Sequence, residues 1–82
     1  MAQFNNQLPV SVSIRYTATD GQQPWQHVNA HKNTPSIKNV QPGTNVFVTA
    51  SGVKHNSLPA PIAQGTLNIV QDAANNWDLQ WV

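Results

Sequence analysis

The chain has 82 residues, which is enough for one small domain with a thin hydrophobic core and too few for two domains. Four Lys or Arg residues and three Asp give a formal net charge of +1, so the chain lacks the clustered positive charge that nucleic-acid binding needs. Because the sequence contains no cysteine, disulfide bonds and thiolate metal sites are excluded.

The first segment of the chain is polar. Residues 1–7 are interpreted as a polar N-terminal leader with Phe4 as its large apolar residue, and residues 8–82 as a single all-β domain. Residues 1–10 contain no basic region and no apolar run, so we expect a soluble protein without a signal peptide or a transmembrane segment. The compartment of the protein is unknown: it is either cytoplasmic or exported from the cell by a non-classical route.

A first hairpin is predicted between residues 9 and 30. Residues 9–18 alternate between apolar and polar side chains, which predicts a half-buried strand. Its inner face would carry Val10, Val12, Ile14, Tyr16 and Ala18, and its outer face Ser11, Ser13, Arg15 and Thr17. Residues 19–23 offer a turn in which Gly21 accepts a positive φ, and residues 24–30 then return antiparallel.

A second hairpin is predicted over residues 36–51. It would pair a short strand at 36–40 with a strand at 45–50, joined by a type II turn in which Pro42 and Gly43 are the central residues. Residues 52–64 contain Pro59 and Pro61, which remove two ladder donors and favour an extended, unpaired conformation. This stretch is expected either to cross between sheets or to run along a sheet edge.

The third predicted hairpin joins residues 65–71 to the last strand through a turn at 72–76. Trp77, Leu79 and Trp81 share one face of that last strand, which we interpret as core, the alternative being an exposed aromatic shelf. About three hairpins, or six strands, without a helical pattern predict an all-β fold, a small antiparallel β-sandwich or barrel.

The polar composition indicates the kind of ligand to expect. Ten Asn and nine Gln replace charge on this surface, which suits a neutral polar ligand or contact with copies of the same chain. Trp25 follows Pro24 among amides, and an aromatic face ringed by amides is what a shallow sugar site requires. The proposed ligand-binding residues are Trp25, Gln23, Gln26, His27 and Asn29. The alternative is that Trp25 folds back to close one end of the sandwich.

Catalysis, metal binding and cofactors are not expected. The three aspartates form no acid pair, and no serine lies in a nucleophile motif. His27 and His31 are four positions apart, and on a strand four residues span about 13 Å, too far for both imidazoles to bind one metal ion.

Two functions of different classes are therefore expected. The first is a non-enzymatic, lectin-like binding module for a neutral polar ligand, with carbohydrate as its leading candidate. The alternative is a self-assembling structural or protein-interaction subunit that uses strand edges and amide-rich faces, because a homo-oligomer would add the buried area that a small core lacks.

Overall fold

The computed structural model describes residues 2–50, 54–59, 65–71 and 77–82, with residues 54–59 described by their backbone alone. All regular elements in these ranges are strands, and none is a helix that could span a membrane. The ten strands are β1 (Gln3–Asn6), β2 (Val12–Arg15), β3 (Thr17–Ala18), β4 (Gly21–Gln22), β5 (Gln26–Val28), β6 (Asn33–Pro35), β7 (Asn45–Ala50), β8 (Lys54–Pro59), β9 (Thr66–Gln71) and β10 (Trp77–Trp81). The predicted all-β fold is confirmed, although the described ranges contain ten short strands where about six were expected.

The strands form two four-stranded sheets and one short ribbon. Sheet A has the order β10-β9-β1-β6, sheet B has the order β5-β2-β7-β8, and β3 pairs with β4. The pairs in both sheets are antiparallel except for β1 and β9, which run parallel. Every strand neighbour in sheet A except the β9–β10 hairpin is therefore distant in sequence.

The two sheets enclose one core. Alternate side chains of each sheet are buried, as the period of two in a strand requires when one face is covered. The rings of Phe4 in sheet A and of Tyr16, which directly follows β2, lie 5.8 Å apart between centroids, with an interplanar angle of 54°. The buried apolar residues form one cluster, which includes Phe4, Val12, Ile14, Tyr16, Val28, Val46, Val48, Leu67, Ile69 and Leu79. The architecture is a small β-sandwich.

The first predicted hairpin is confirmed in its pairing and mostly in its faces. β2 pairs antiparallel with β5, and Gly21 adopts the positive φ, 120°, that the turn prediction gave it. Val12, Ile14, Tyr16 and Ala18 are buried, whereas Val10 is 48% exposed, so its assignment to the inner face was wrong. The reason is that Val10 lies before β2 begins, where the chain bends and strict alternation no longer applies.

The expected polar leader is, over Gln3–Asn6, an inner strand of sheet A. β1 pairs with β6 on one side and with β9 on the other. Phe4 is buried, and Asn6 is buried too, because its amide bonds to the Leu8 N–H and to backbone carbonyls of the first hairpin. Alternation in the sequence did not indicate this strand, because one of its inward positions is an asparagine where an apolar residue was expected.

The second predicted hairpin was wrong in its first strand. Residues 36–40 contain no strand, and the strand forms earlier, as β6. The turn before β7 is present, since Gly43 has a φ of 82° and the Thr44 N–H donates to the Gln41 carbonyl at 3.3 Å. β7 pairs with β2 and β8 rather than with the preceding segment.

The segment expected to be unpaired contains a strand. Residues 54–59 form β8, which pairs with β7 along its whole length. Pro59 is compatible with this arrangement because it ends a strand at the edge of sheet B, where a missing N–H costs little. Pro61 lies outside the described residues.

The last hairpin is confirmed as β9 paired with β10. Leu67, Ile69 and Leu79 are buried, while Trp77 and Trp81 are half-buried and pack against the margin of the core. The two indoles thus belong to the core side of the strand without being enclosed by it. The predicted turn at 72–76 lies outside the described residues.

Candidate functional site

An aromatic and cationic cluster lies on the outer face of sheet B. Because Val12 and Ile14 point into the core, Ser13 and Arg15 point outwards from β2. The guanidinium carbon of Arg15 lies 4.7 Å from the ring centroid of Trp25 and 5.6 Å from that of Phe47. Arg15 and Phe47 are cross-strand partners in register. We call these three residues, together with the neighbouring row of Ser13, His27 and Thr49, the Trp25 face.

The neighbouring row of this face is polar. Ser13 is opposite His27 on β5 and opposite Thr49 on β7. This row lies two residues along the strands from the aromatic row, a spacing of about 7 Å. The outer surface of sheet B therefore places an imidazole and two hydroxyl groups next to a pair of aromatic rings.

Arg15 has no ion-pair partner in the part of the chain that the structure describes. The one ion pair there joins Lys38 to Asp20. The hydrogen bond from Lys38 holds the pKa of the exposed Asp20 carboxyl below its ordinary value. Asp78 belongs to β10 in the other sheet. The Nε of Arg15 is buried and has no acceptor among the described residues.

Of the proposed ligand-binding residues, Trp25 and His27 come together on the Trp25 face. Trp25 is 43% exposed. It therefore does not fold back to close the end of the sandwich, which was the alternative that the sequence left open. His27 is exposed two positions further along the same side of the chain. Asn29 is exposed beyond the end of β5, where its carbonyl accepts hydrogen bonds from the Asn6 amide and the Lys32 N–H.

The two glutamines are engaged elsewhere. The Gln23 amide donates to the Asp20 carboxylate and to the Gly21 carbonyl, both at 3.1 Å, and so closes the preceding turn. The Gln26 amide donates to the Pro35 carbonyl of sheet A at 2.6 Å. Gln26 therefore ties the edges of the two sheets together instead of facing the indole.

Sequence reasoning missed Arg15 and Phe47 as members of the site. The alternation of residues 9–18 already placed Arg15 on the outer face. In the strand predicted at 45–50, Phe47 lies between Val46 and Val48 and therefore faces the opposite side from them. The missing information was the strand order, which places β2 between β5 and β7, and the register, which puts Arg15 opposite Phe47.

A second feature is a row of amides across the outer face of sheet A. In register, Gln80 of β10 is opposite Asn68 of β9, Asn68 is opposite Asn5 of β1, and Asn5 is opposite Asn33 of β6. The Asn5 amide donates to the Asn68 side-chain oxygen at 2.9 Å. We call these four residues the amide row.

Comparisons with protein-family models, with curated proteins and with solved structures found no match for this chain. Within the described ranges, no three His, Asp or Glu side chains are grouped as a metal site would need.

Proposed function

We propose that this protein is a non-enzymatic carbohydrate-binding module whose site is the Trp25 face. The observation that carries the proposal is the exposed indole of Trp25 fixed against Arg15 on an open sheet surface. A pyranose has one face made largely of C–H groups, and such a face packs favourably on an aromatic ring. The hydroxyl groups at its rim need partners that both donate and accept.

The contacts around Trp25 favour a preformed site. Stacking of the guanidinium on the indole restrains the ring before any ligand arrives, so little side-chain entropy remains to be lost on binding. Ser13 and His27 then offer a hydroxyl and an imidazole in the adjoining row. This arrangement supports a shallow site that binds one or two sugar units rather than a deep pocket.

A glycan array followed by titration calorimetry on the retained glycans tests this proposal. Trp25→Ala is expected to weaken binding at least tenfold, about 1.4 kcal/mol, without changing the far-UV circular dichroism spectrum. Ile37→Ala is the matched control, because Ile37 is 60% exposed in the segment between β6 and β7 and its truncation also removes exposed apolar surface. No retained glycan with folded protein, or equal effects of both substitutions, would refute the proposal.

The amide row favours a second candidate function, assembly with a second copy of the chain. Each primary amide both donates and accepts, so a row of them is complementary to an identical row, and the row carries no charge that would repel a copy. Light scattering over a concentration series tests this candidate. Gln80→Glu combined with Asn33→Asp should dissociate the oligomer, whereas Asn45→Asp, at an exposed position of sheet B, should not. A wild-type protein that stays monomeric throughout the series would contradict it.

A further inference from the structure

We infer that the Trp25 face selects carbohydrates that carry a carboxylate, and that Arg15 binds this carboxylate. The inference rests on the proposed function and names its substrate class, uronic or sialic acids in place of neutral sugars. The sequence alone pointed to a neutral ligand because the whole chain carries little charge. The structure places one of its few cations in the middle of the candidate site.

The position of Arg15 leaves a defined direction for a ligand. Trp25 and Phe47 lie against the guanidinium, so its planar group is held by two aromatic contacts. The N–H groups of a guanidinium lie in its plane and point outwards from the rim. A partner must therefore approach the rim in that plane, which is the geometry in which arginine binds both oxygens of a carboxylate.

The charge of Arg15 also lacks a counterion in the described ranges. Asp20 is taken by Lys38, and Asp78 belongs to the opposite sheet. A carboxylate on the ligand would supply this missing charge, whereas a neutral sugar would cover part of the cation without compensating it. An acidic sugar meets both requirements at once, because its ring can pack on the part of the Trp25 indole that the guanidinium leaves exposed while its carboxylate reaches the neighbouring guanidinium.

The test compares each acidic probe with its methyl ester, which keeps the same sugar rings and removes the negative charge. An oligogalacturonate and its full methyl ester are titrated against the wild-type protein, and so are sialyllactose and its methyl ester. We expect at least one acid to bind tenfold or more tightly than its neutral counterpart, with the difference shrinking as salt is added. Arg15→Gln should remove the difference, Arg15→Lys should retain part of it, and Lys32→Gln, which removes an exposed cation elsewhere, should preserve it.

The outcomes separate this inference from the proposed function. Equal affinity for acid and neutral partner in both pairs overturns the selectivity while leaving carbohydrate binding intact. No binding of any probe, with no other glycan retained on the array, overturns both. If Arg15→Gln does not fold, the acid-to-neutral ratio of the wild-type protein and its salt dependence decide the question.

Discussion

The side chain of Asn6 offers a sharp test of how this small core is specified. Its amide nitrogen lies 2.9 Å from the Val10 carbonyl oxygen, 3.1 Å from that of Asn29 and 3.3 Å from that of Val28. Its side-chain oxygen accepts the Leu8 N–H at 3.0 Å. One buried asparagine thus joins the end of β1 to the bend before β2 and to the end of β5.

Replacing Asn6 with alanine removes three short hydrogen bonds, each worth about 1 kcal/mol net, and takes away the acceptor of the buried Leu8 N–H. We therefore expect Asn6→Ala to lower the free energy of unfolding by about 3 kcal/mol. Domains of this size have a total stability of roughly 4–12 kcal/mol, so the loss is a large fraction of the whole. Urea unfolding measures it, with exposed Asn39→Ala as the control. A change below about 0.5 kcal/mol would refute this account of Asn6, since that is the ordinary range for surface substitutions.

The isosteric variant Asn6→Asp adds a pH dependence to the same test. The new carboxyl would face carbonyl oxygens in a buried site, which raises its pKa in the folded state. A raised folded-state pKa means that the variant is least destabilised at low pH, where the carboxyl is protonated. It loses stability as the pH rises above the unfolded pKa of about 4. A stability difference from wild type that stays constant between acid and neutral pH would contradict this reasoning.

Three further predictions rest on single contacts. Tyr16→Phe should cost about 1 kcal/mol in urea unfolding, because the Tyr16 hydroxyl accepts the Lys38 N–H at 2.7 Å, and an unchanged midpoint would count against that bond. Lys38→Gln should raise the pKa of the Asp20 carboxyl in an NMR titration. In the wild-type protein, the ion pair stabilises the fold at pH values above the unfolded-state pKa of the carboxyl, and this contribution is lost as the pH falls through the lowered folded-state pKa. An Asp20 pKa that is the same in the variant and in the wild type would disprove the pairing. Gly65→Ala should lower the midpoint of thermal unfolding, because a Cβ there would lie 2.6 Å from the Val82 carbonyl oxygen. An unchanged midpoint would show that the Val82 backbone moves away at no cost in stability.

Alternation in the sequence predicted the strands that carry the core, and it failed where polar residues took inward positions. Val12, Ile14 and Tyr16 were assigned correctly because every second residue there is apolar. β1 was missed because only one of its two inward residues, Phe4, is apolar. The other, Asn6, is buried because its amide is hydrogen-bonded. No local pattern reports a partner that lies far along the chain.

The candidate site was predictable in part for a related reason. Trp25 and His27 could be chosen from their surroundings in the sequence, and the structure brings them to one face. Arg15 and Phe47 join them only through the register of β2 with β5 and β7. Gln26 was assigned to the ligand, but its amide donates to Pro35, a contact that depends on how the two sheets meet.

The place of β1 inside sheet A has a consequence for how the chain reaches this structure. The Asn5–Asn68 bond joins residues 63 positions apart, whereas sheet B is built entirely from strands between residues 12 and 59. During synthesis, sheet B can assemble while β1 still waits for β9, so the nascent chain holds an open strand edge beside an uncovered apolar layer. Slow pairing over long sequence distances and exposed edges both promote aggregation. Expression yield should therefore depend more on holding the nascent chain soluble until β9 emerges than on the stability of the finished sandwich.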